Sequence, residues 1–477
     1  MTPGPPPGDR SRPGRVLAAV MAGAILGPID GSIVNVVLPT LVDAFGTSLA
    51  SVQWVPMAYL LASGGLVLLF GRLGDLRGPR AVFLGGLLGF VAASALCAAA
   101  PTIEALVAFR VLQGVAAAAM MSVPLAILTA TFPPAERGRA IGLFAASISV
   151  GLAIGPSLGG FLTATFGWRA AFLVNLPVGL LAWAYARRVL PVVPVRPGRL
   201  DLPGAAAALV ALGSLLLWVN LAQRAGPSPN GLLLLAALAA AAFVAQERRV
   251  AEPMVALSIF RNGAVSFGAA ASVLNFMSQF VVVFLTPFLL ARLFGAGPGR
   301  VGLVLTAFPL AVLAVAPFAG ALSDRVGSVR PAVAGATLSA AACALLAALP
   351  PGTGLPAVAG GLALFGAGTG LFQSPNNSSV MGSAPREHLG VVGSLLGTAR
   401  TLGMVLGIAA AGAVLYAFVP PSALDAAGET PALAEAFASG ARRAYAAGAA
   451  FALLSALLAA APALARRGRR TDEPVLP

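Results

Sequence analysis

The stretch GRLGDLRGPR, Gly71 to Arg80, sets Arg72, Asp75, Arg77 and Arg80 between two long apolar runs. Charges this dense belong in water, so the stretch marks a membrane surface between two spans. A partial copy occurs at GALSDRVGSVR, where Gly320, Asp324 and Gly327 fall opposite Gly71, Asp75 and Gly78, and Arg325 follows the aspartate. An internal repeat separated by many spans is the mark of a transporter whose substrate site lies between two related halves.

Composition points the same way. The 477 residues are 58% hydrophobic and 10% charged, with a mean hydropathy of +0.91, whereas a soluble globule carries about 25% charged residues. A net charge of +14 in a soluble chain would suggest a nucleic-acid partner, but here the arginines punctuate apolar runs of spanning length and orient the chain in a bilayer. All 30 basic residues are arginine. Without lysine there is no Walker A phosphate loop, which excludes an ATP-driven pump within this chain. Cys97 and Cys343 lie in apolar runs and read as packing residues. Arg10, Arg12 and Arg15 before Val16 resemble a signal peptide in charge, but the apolar run continues too far, so it reads as a retained first span.

Apolar stretches of crossing length fall near 16–41, 49–70, 81–100, 104–131, 140–165 and 170–189. Two Ala/Leu-rich runs follow near 202–222 and 231–247, and then six more near 264–291, 300–322, 331–349, 356–380, 390–419 and 441–465. The fold class expected is an all-α polytopic membrane protein of fourteen spans. Its parts are an N-tail (1–15), a first six-helix bundle (16–190), a linker with two extra helices (191–262), a second bundle (263–465) and a C-tail (466–477). Arginine bias sets the orientation: 22 of the 30 lie on the side of the N-terminus and six on the other, with Arg110 and Arg400 inside spans. By the positive-inside rule both termini are cytoplasmic. The stretch Pro420 to Gly440 reads as the longest outer loop, with room for a short helix.

Enzyme constellations are nearly absent, since His388 is the only histidine and lies in an inner loop beside Arg386 and Glu387. GPGRVG, Gly297 to Gly302, lacks the strand and helix context of a dinucleotide fingerprint, and the Asn376-Asn377-Ser378 string lies at a span. Asp30 is different. It is the only carboxylate well inside a span, where an aspartate costs about 2.5–3.5 kcal/mol. It reads either as a group that binds a proton or a cationic substrate, or as a carboxylate merely hydrogen-bonded in the bundle. Arg110, with Gln113 and Gly114 in FRVLQG, is the basic counterpart: an adjuster of that carboxylate's proton affinity or a fixed structural donor. Arg400, flanked by Gly397, Gly403 and Gly407, is a buried-looking arginine at a packing hub or on the pathway. GLAIGPSLGG, Gly151 to Gly160, lets helices approach closely, while Pro156 removes a backbone hydrogen bond, which suits a bending interface or plain tight packing.

These motifs resemble the major facilitator superfamily, and within it the fourteen-spanning drug:proton antiporters, from Gly27 to about Gly412. GRLGDLRGPR is similar to the superfamily's signature loop through Gly71, Asp75, Gly78 and Arg80, although Leu76 and Pro79 stand where basic residues are common. FRVLQG is similar to the fourth-span motif linked there to proton coupling. GLAIGPSLGG is similar to the fifth-span antiporter motif through Gly151, Gly155, Pro156, Gly159 and Gly160. IDGSIVNVVLPTL, with Asp30, Asn35 and Pro39, resembles the first-span motif of the fourteen-spanner branch, as do WRAAFLVNLPVG and QSPNNSSVM.

The resemblance implies a proton-driven exporter of small amphipathic compounds in a bacterial inner membrane. It would act as a monomer without a cofactor, with protons and substrate competing for a central cavity containing Asp30. The alternatives are a facilitator or importer of a metabolite and, from another class, a membrane sensor, which a soluble domain would favour.

Overall fold

The computed structural model describes residues 11–193, 195, 200–222, 230–250, 257–350, 353–384, 389–419 and 431–471. Among them fourteen helices are long and apolar enough to cross a membrane. They are α1 (Pro13–Phe45), α2 (Leu49–Arg77), α3 (Pro79–Ala98), α4 (Ile103–Thr131), α5 (Pro134–Phe166), α6 (Ala170–Val189) and α7 (Leu202–Leu221). The rest are α8 (Asn230–Glu247), α9 (Gly263–Phe294), α10 (Pro298–Val326), α11 (Val329–Ala348), α12 (Leu355–Gly382), α13 (Leu395–Phe418) and α14 (Ala434–Pro462). Every expected span is present. His388, Arg386, Glu387, Arg196, Arg199 and residues 420–430 lie outside the described residues.

Helices run further than the apolar runs. The charged stretch expected as a surface loop is helical through Arg77, and the chain turns only at Gly78 (φ 90°), with Pro79 opening the next helix. The second copy behaves alike: helix continues through Asp324 and Arg325 to Val326, and Gly327 turns with φ 82°. Polar side chains do not end a helix where they can stand in water at its tip; a backbone needing positive φ does, which is why glycine occupies both corners. The same tendency starts the final helix at Pro431, inside the expected outer loop, and carries it to Thr471, into the expected tail. At its other extreme α1 begins before position 16 and lapses at Ile25, because Pro28 has no N–H to offer the carbonyl of Ala24.

The apolar core is divided unevenly between the two membrane faces. On the face carrying Gly46 and Gly295, one cluster joins both halves: Ile33, Val37 and Leu41 of α1 share it with Phe284, Phe288 and Leu305 of α9 and α10. On the face carrying Gly78 and Gly327 the clusters separate. Val20, Phe83, Phe90 and Met120 form one within the first six helices. Val265, Val380 and Val392 form another, and Ala271, Ala336 and Phe372 a third, both within the last six. The buried apolar contact that joins the halves is therefore concentrated at one face.

Candidate functional site

Arg110 and Gln113 lie three residues apart on α4 and so share a face. Gly114 lets that helix come close to α2: a Cβ there would meet the carbonyl oxygen of Tyr59 at 2.6 Å. This approach brings Arg110 Nε within 3.1 Å of the Val55 carbonyl, to which it donates, and lays the guanidinium 4.2 Å from the centre of the Tyr59 ring and 5.9 Å from that of Phe172.

Asp30 completes the arrangement from α1. Its Oδ2 accepts from Arg110 Nη1 at 2.5 Å. Its Oδ1 accepts from Gln113 Nε2 at 2.9 Å and from Asn175 Nδ2 at 2.8 Å. Gln113 Oε1 in turn accepts from Arg110 Nη1, and Gln113 Nε2 also donates to Ser94 Oγ at 2.8 Å. Asn175 Nδ2 approaches the same hydroxyl at 3.4 Å, and Cys97 Sγ lies 3.7 Å from Gln113 Oε1. Four helices, α1, α3, α4 and α6, thus meet at one carboxylate. Asp30, Arg110, Gln113 and Ser94 are all 0% exposed. Charges in hydrocarbon persist only when paired and hydrogen-bonded, and this network does both.

The burial corrects one expectation. Asp30 does not stand in a central cavity between the halves; it is enclosed within the first half, where its partners surround it.

Behind Asp30, the glycine stripe of α5 packs on the same segment of α1. A Cβ on Gly151 would meet Ile25 and Pro28, on Gly155 it would overlap the Ser32 side chain, and on Gly159 it would lie 3.0 Å from Ile33 Cα. The stripe's end touches the other half: Gly302 of α10 sits against the Pro156 carbonyl, with Gly160 Cα 2.9 Å from where a Cβ would stand. Ser157 and Thr306 hydroxyls share a hydrogen bond of 2.6 Å across the same seam. So α5 lies between the helix bearing Asp30 and the opposite half.

Other sequence candidates are elsewhere. Asn35 donates to the Gly31 carbonyl at 3.1 Å within its own helix, outside the network. Glu104 is exposed in the first turn of α4. Arg400 is surrounded by protein, as its place in an apolar run suggests, while its side chain stays open to solvent on one side. The packing hub is formed by Gly403 and Gly407, which press on Val273, Phe276 and Met277 of α9, and Arg400 lies on the same face of the helix, three and seven residues before them. Arg80 Nη2 donates to the Arg187 carbonyl at 2.6 Å, satisfying a bare carbonyl at the end of α6. Asp324 and Arg325 are exposed at the matching corner of the second half.

Asp75 lies 3.6 Å from Arg72, with 44% of its side chain exposed. Its partner is an arginine of the same half, and it stands in the last turn of α2. An exposed pair contributes about 0–1 kcal/mol, so Asp75→Asn should leave the melting temperature within about 3 °C of wild type. Transport is nevertheless expected to fall strongly, the carboxylate being required in another state of the cycle. Flux measured alongside thermal unfolding checks this, and wild-type flux would leave Asp75 a topological signal only.

Ser94, Tyr59, Phe172 and Asn175 were not singled out from sequence. Phe172 and Asn175 carried a signal, as residues of WRAAFLVNLPVG.

A family model described as Major Facilitator Superfamily matches residues 20–245 and 268–474. The chain is 32% identical to the riboflavin transporter RibZ of Clostridioides difficile (strain 630), over 83% of this chain and 86% of that protein. It is 31% identical to the tetracenomycin C resistance and export protein of Streptomyces glaucescens, over 86% of this chain and 77% of that one. Among solved structures, a bacterial homologue of the human lysosomal transporter Spinster, inward-facing and occupied, superposes with a TM-score of 0.69 at 16% identity, covering 96% of this chain and 98% of its own. At that identity the likeness is one of fold.

Proposed function

This chain belongs to the major facilitator superfamily, and from that premise we propose that it is a proton-driven exporter of small amphipathic compounds working by alternating access. A single observation carries the reading: a carboxylate sealed at membrane depth, paired with Arg110, on the helix segment against which the α5 glycine stripe packs. When Asp30 takes a proton, Arg110 loses its counter-charge and the bonds joining α1, α3, α4 and α6 weaken. The balance between two packings of the bundle changes, and α5 carries that change to its contact with α10. The proton gradient is the energy source, and the monomer is the working unit. Tetracenomycin C resistance and export in a relative supports efflux.

With 22 arginines on one side, the Gly78 and Gly327 corners face the cytoplasm of a bacterial inner membrane, and the buried apolar contact that joins the halves is concentrated on the opposite side. Reporter fusions after Arg80 and Arg330 are both expected to report the cytoplasm; opposite sides would break the repeat assignment. The function itself is tested by the susceptibility of an efflux-deficient host, with and without this protein, to a panel of cationic and neutral drugs. The likeness to a riboflavin transporter favours a second reading, a metabolite facilitator or importer. Flux inward under an imposed proton gradient would select it.

A further inference from the structure

The linker helix α7 is not a passive spacer. It lies in the groove between α2 of the first half and α13 of the second: Leu209 fills the space over Gly65, Leu61 lies 3.8 Å from where a Cβ of Gly213 would stand, and Leu216, 1% exposed, belongs to the apolar cluster that joins the halves. At its far end Asn220, 3% exposed, donates from Nδ2 to the carbonyl of Ala50 at 3.0 Å. The N–H of the same residue, Ala50, donates to the hydroxyl of Tyr416 on α13 at 2.9 Å. Both backbone groups of one residue, in the opening turn of α2, are thus held by side chains from outside the first half. The other end of the linker is fastened separately, for Asp201 Oδ1 accepts from the Gly204 N–H at 3.0 Å and from Gln246 Nε2 of α8 at 2.9 Å.

We propose that Asn220 and Tyr416 are positioning residues of the transport cycle, which hold the Gly46 and Gly295 face closed by clamping Ala50. This rests on the alternating-access reading above. To open that face, α13 must leave α2, and the Tyr416 bond must break with it. Asn220 ties the linker helix into the same junction, so that α7 covers the seam while the face is shut. Each hydrogen bond has a net worth that changes an equilibrium by a few-fold to about tenfold. Removing both should raise the population open on this face by roughly tenfold or more.

The test places spin labels at two exposed positions on this face, one in each half, through Asp43→Cys and Arg300→Cys. Both native cysteines are buried. Distance distributions are then compared in full-length protein with and without Asn220→Leu and Tyr416→Phe together. A longer-distance population that grows in the double variant, and to a lesser degree in each single one, supports the clamp. An unchanged distribution overturns it, whether the melting temperature holds, as for dispensable bonds, or drops, as for residues that only pack. Tyr416→Phe alone removes one oxygen and guards against loss of folding in the double variant. The readout needs no substrate, so an overturned clamp leaves the exporter reading standing, and a failed exporter reading leaves the distances unaffected.

Discussion

Asp30→Asn abolishes gradient-driven export, and it also lowers the stability of the folded protein. The second effect follows from the ion pair. Arg110 is enclosed, and its guanidinium faces Asp30, the Gln113 amide oxygen, the Val55 carbonyl and two aromatic rings. Removing one partner of such a pair leaves an uncompensated buried charge and costs about 3–5 kcal/mol. Replacing both, as Asp30→Asn with Arg110→Gln, removes the stranded charge, so the double variant should melt above the Asp30→Asn single variant. Transport separates the two effects. In proteoliposomes given a pH step, neither variant should move ethidium above the protein-free rate, since neither has a group that can hold and release the proton. Asp30→Glu should keep a fraction of the activity. A double variant that regained both stability and gradient-driven flux would make the pair a structural element and move coupling to another carboxylate, with Glu104 the next to test.

The second large effect is expected at the seam between α5 and α10. Gly302→Val places three carbons where the Pro156 carbonyl and the Gly160 backbone already stand, and neither can move aside as a side chain would. Overpacking of this kind costs about 1–3 kcal/mol, and here the cost falls on the conformation closed at this face. Transport should fall by at least about tenfold, while the helical content is retained. Gly299→Ala, one turn away, meets only the Ala164 side chain at an ordinary 3.8 Å and should transport within about twofold of wild type. Equal losses in the two variants would show that the close approach at Gly302 has no special part in the cycle.

Much of this was legible in sequence for definite physical reasons. Each span needs about 20 apolar residues, and that requirement places all fourteen helices. Asp30, Arg110 and Gln113 stood out because charged and strongly polar side chains are costly at membrane depth, and they are the residues the fold brings together. Spacing along one helix cannot say which residue of another helix completes a network. Ser94 was hidden for that reason, being a neutral residue on a separate helix. Asn220 was passed over in a run that otherwise reads as plain Ala and Leu. Helix ends were underestimated at Gly71 to Arg77 because hydropathy stops where water begins, whereas backbone hydrogen bonding does not.

The central claim is that Asp30 is the group that exchanges a proton for substrate. It is tested most directly by proton release from purified protein in weakly buffered detergent with a pH-sensitive dye, on adding a panel drug to which the protein confers resistance. Wild type should acidify the solution on drug addition, and Asp30→Asn, or its stabilised double variant with Arg110→Gln, should not. Drug-induced release from these variants equal to that of wild type would contradict the claim.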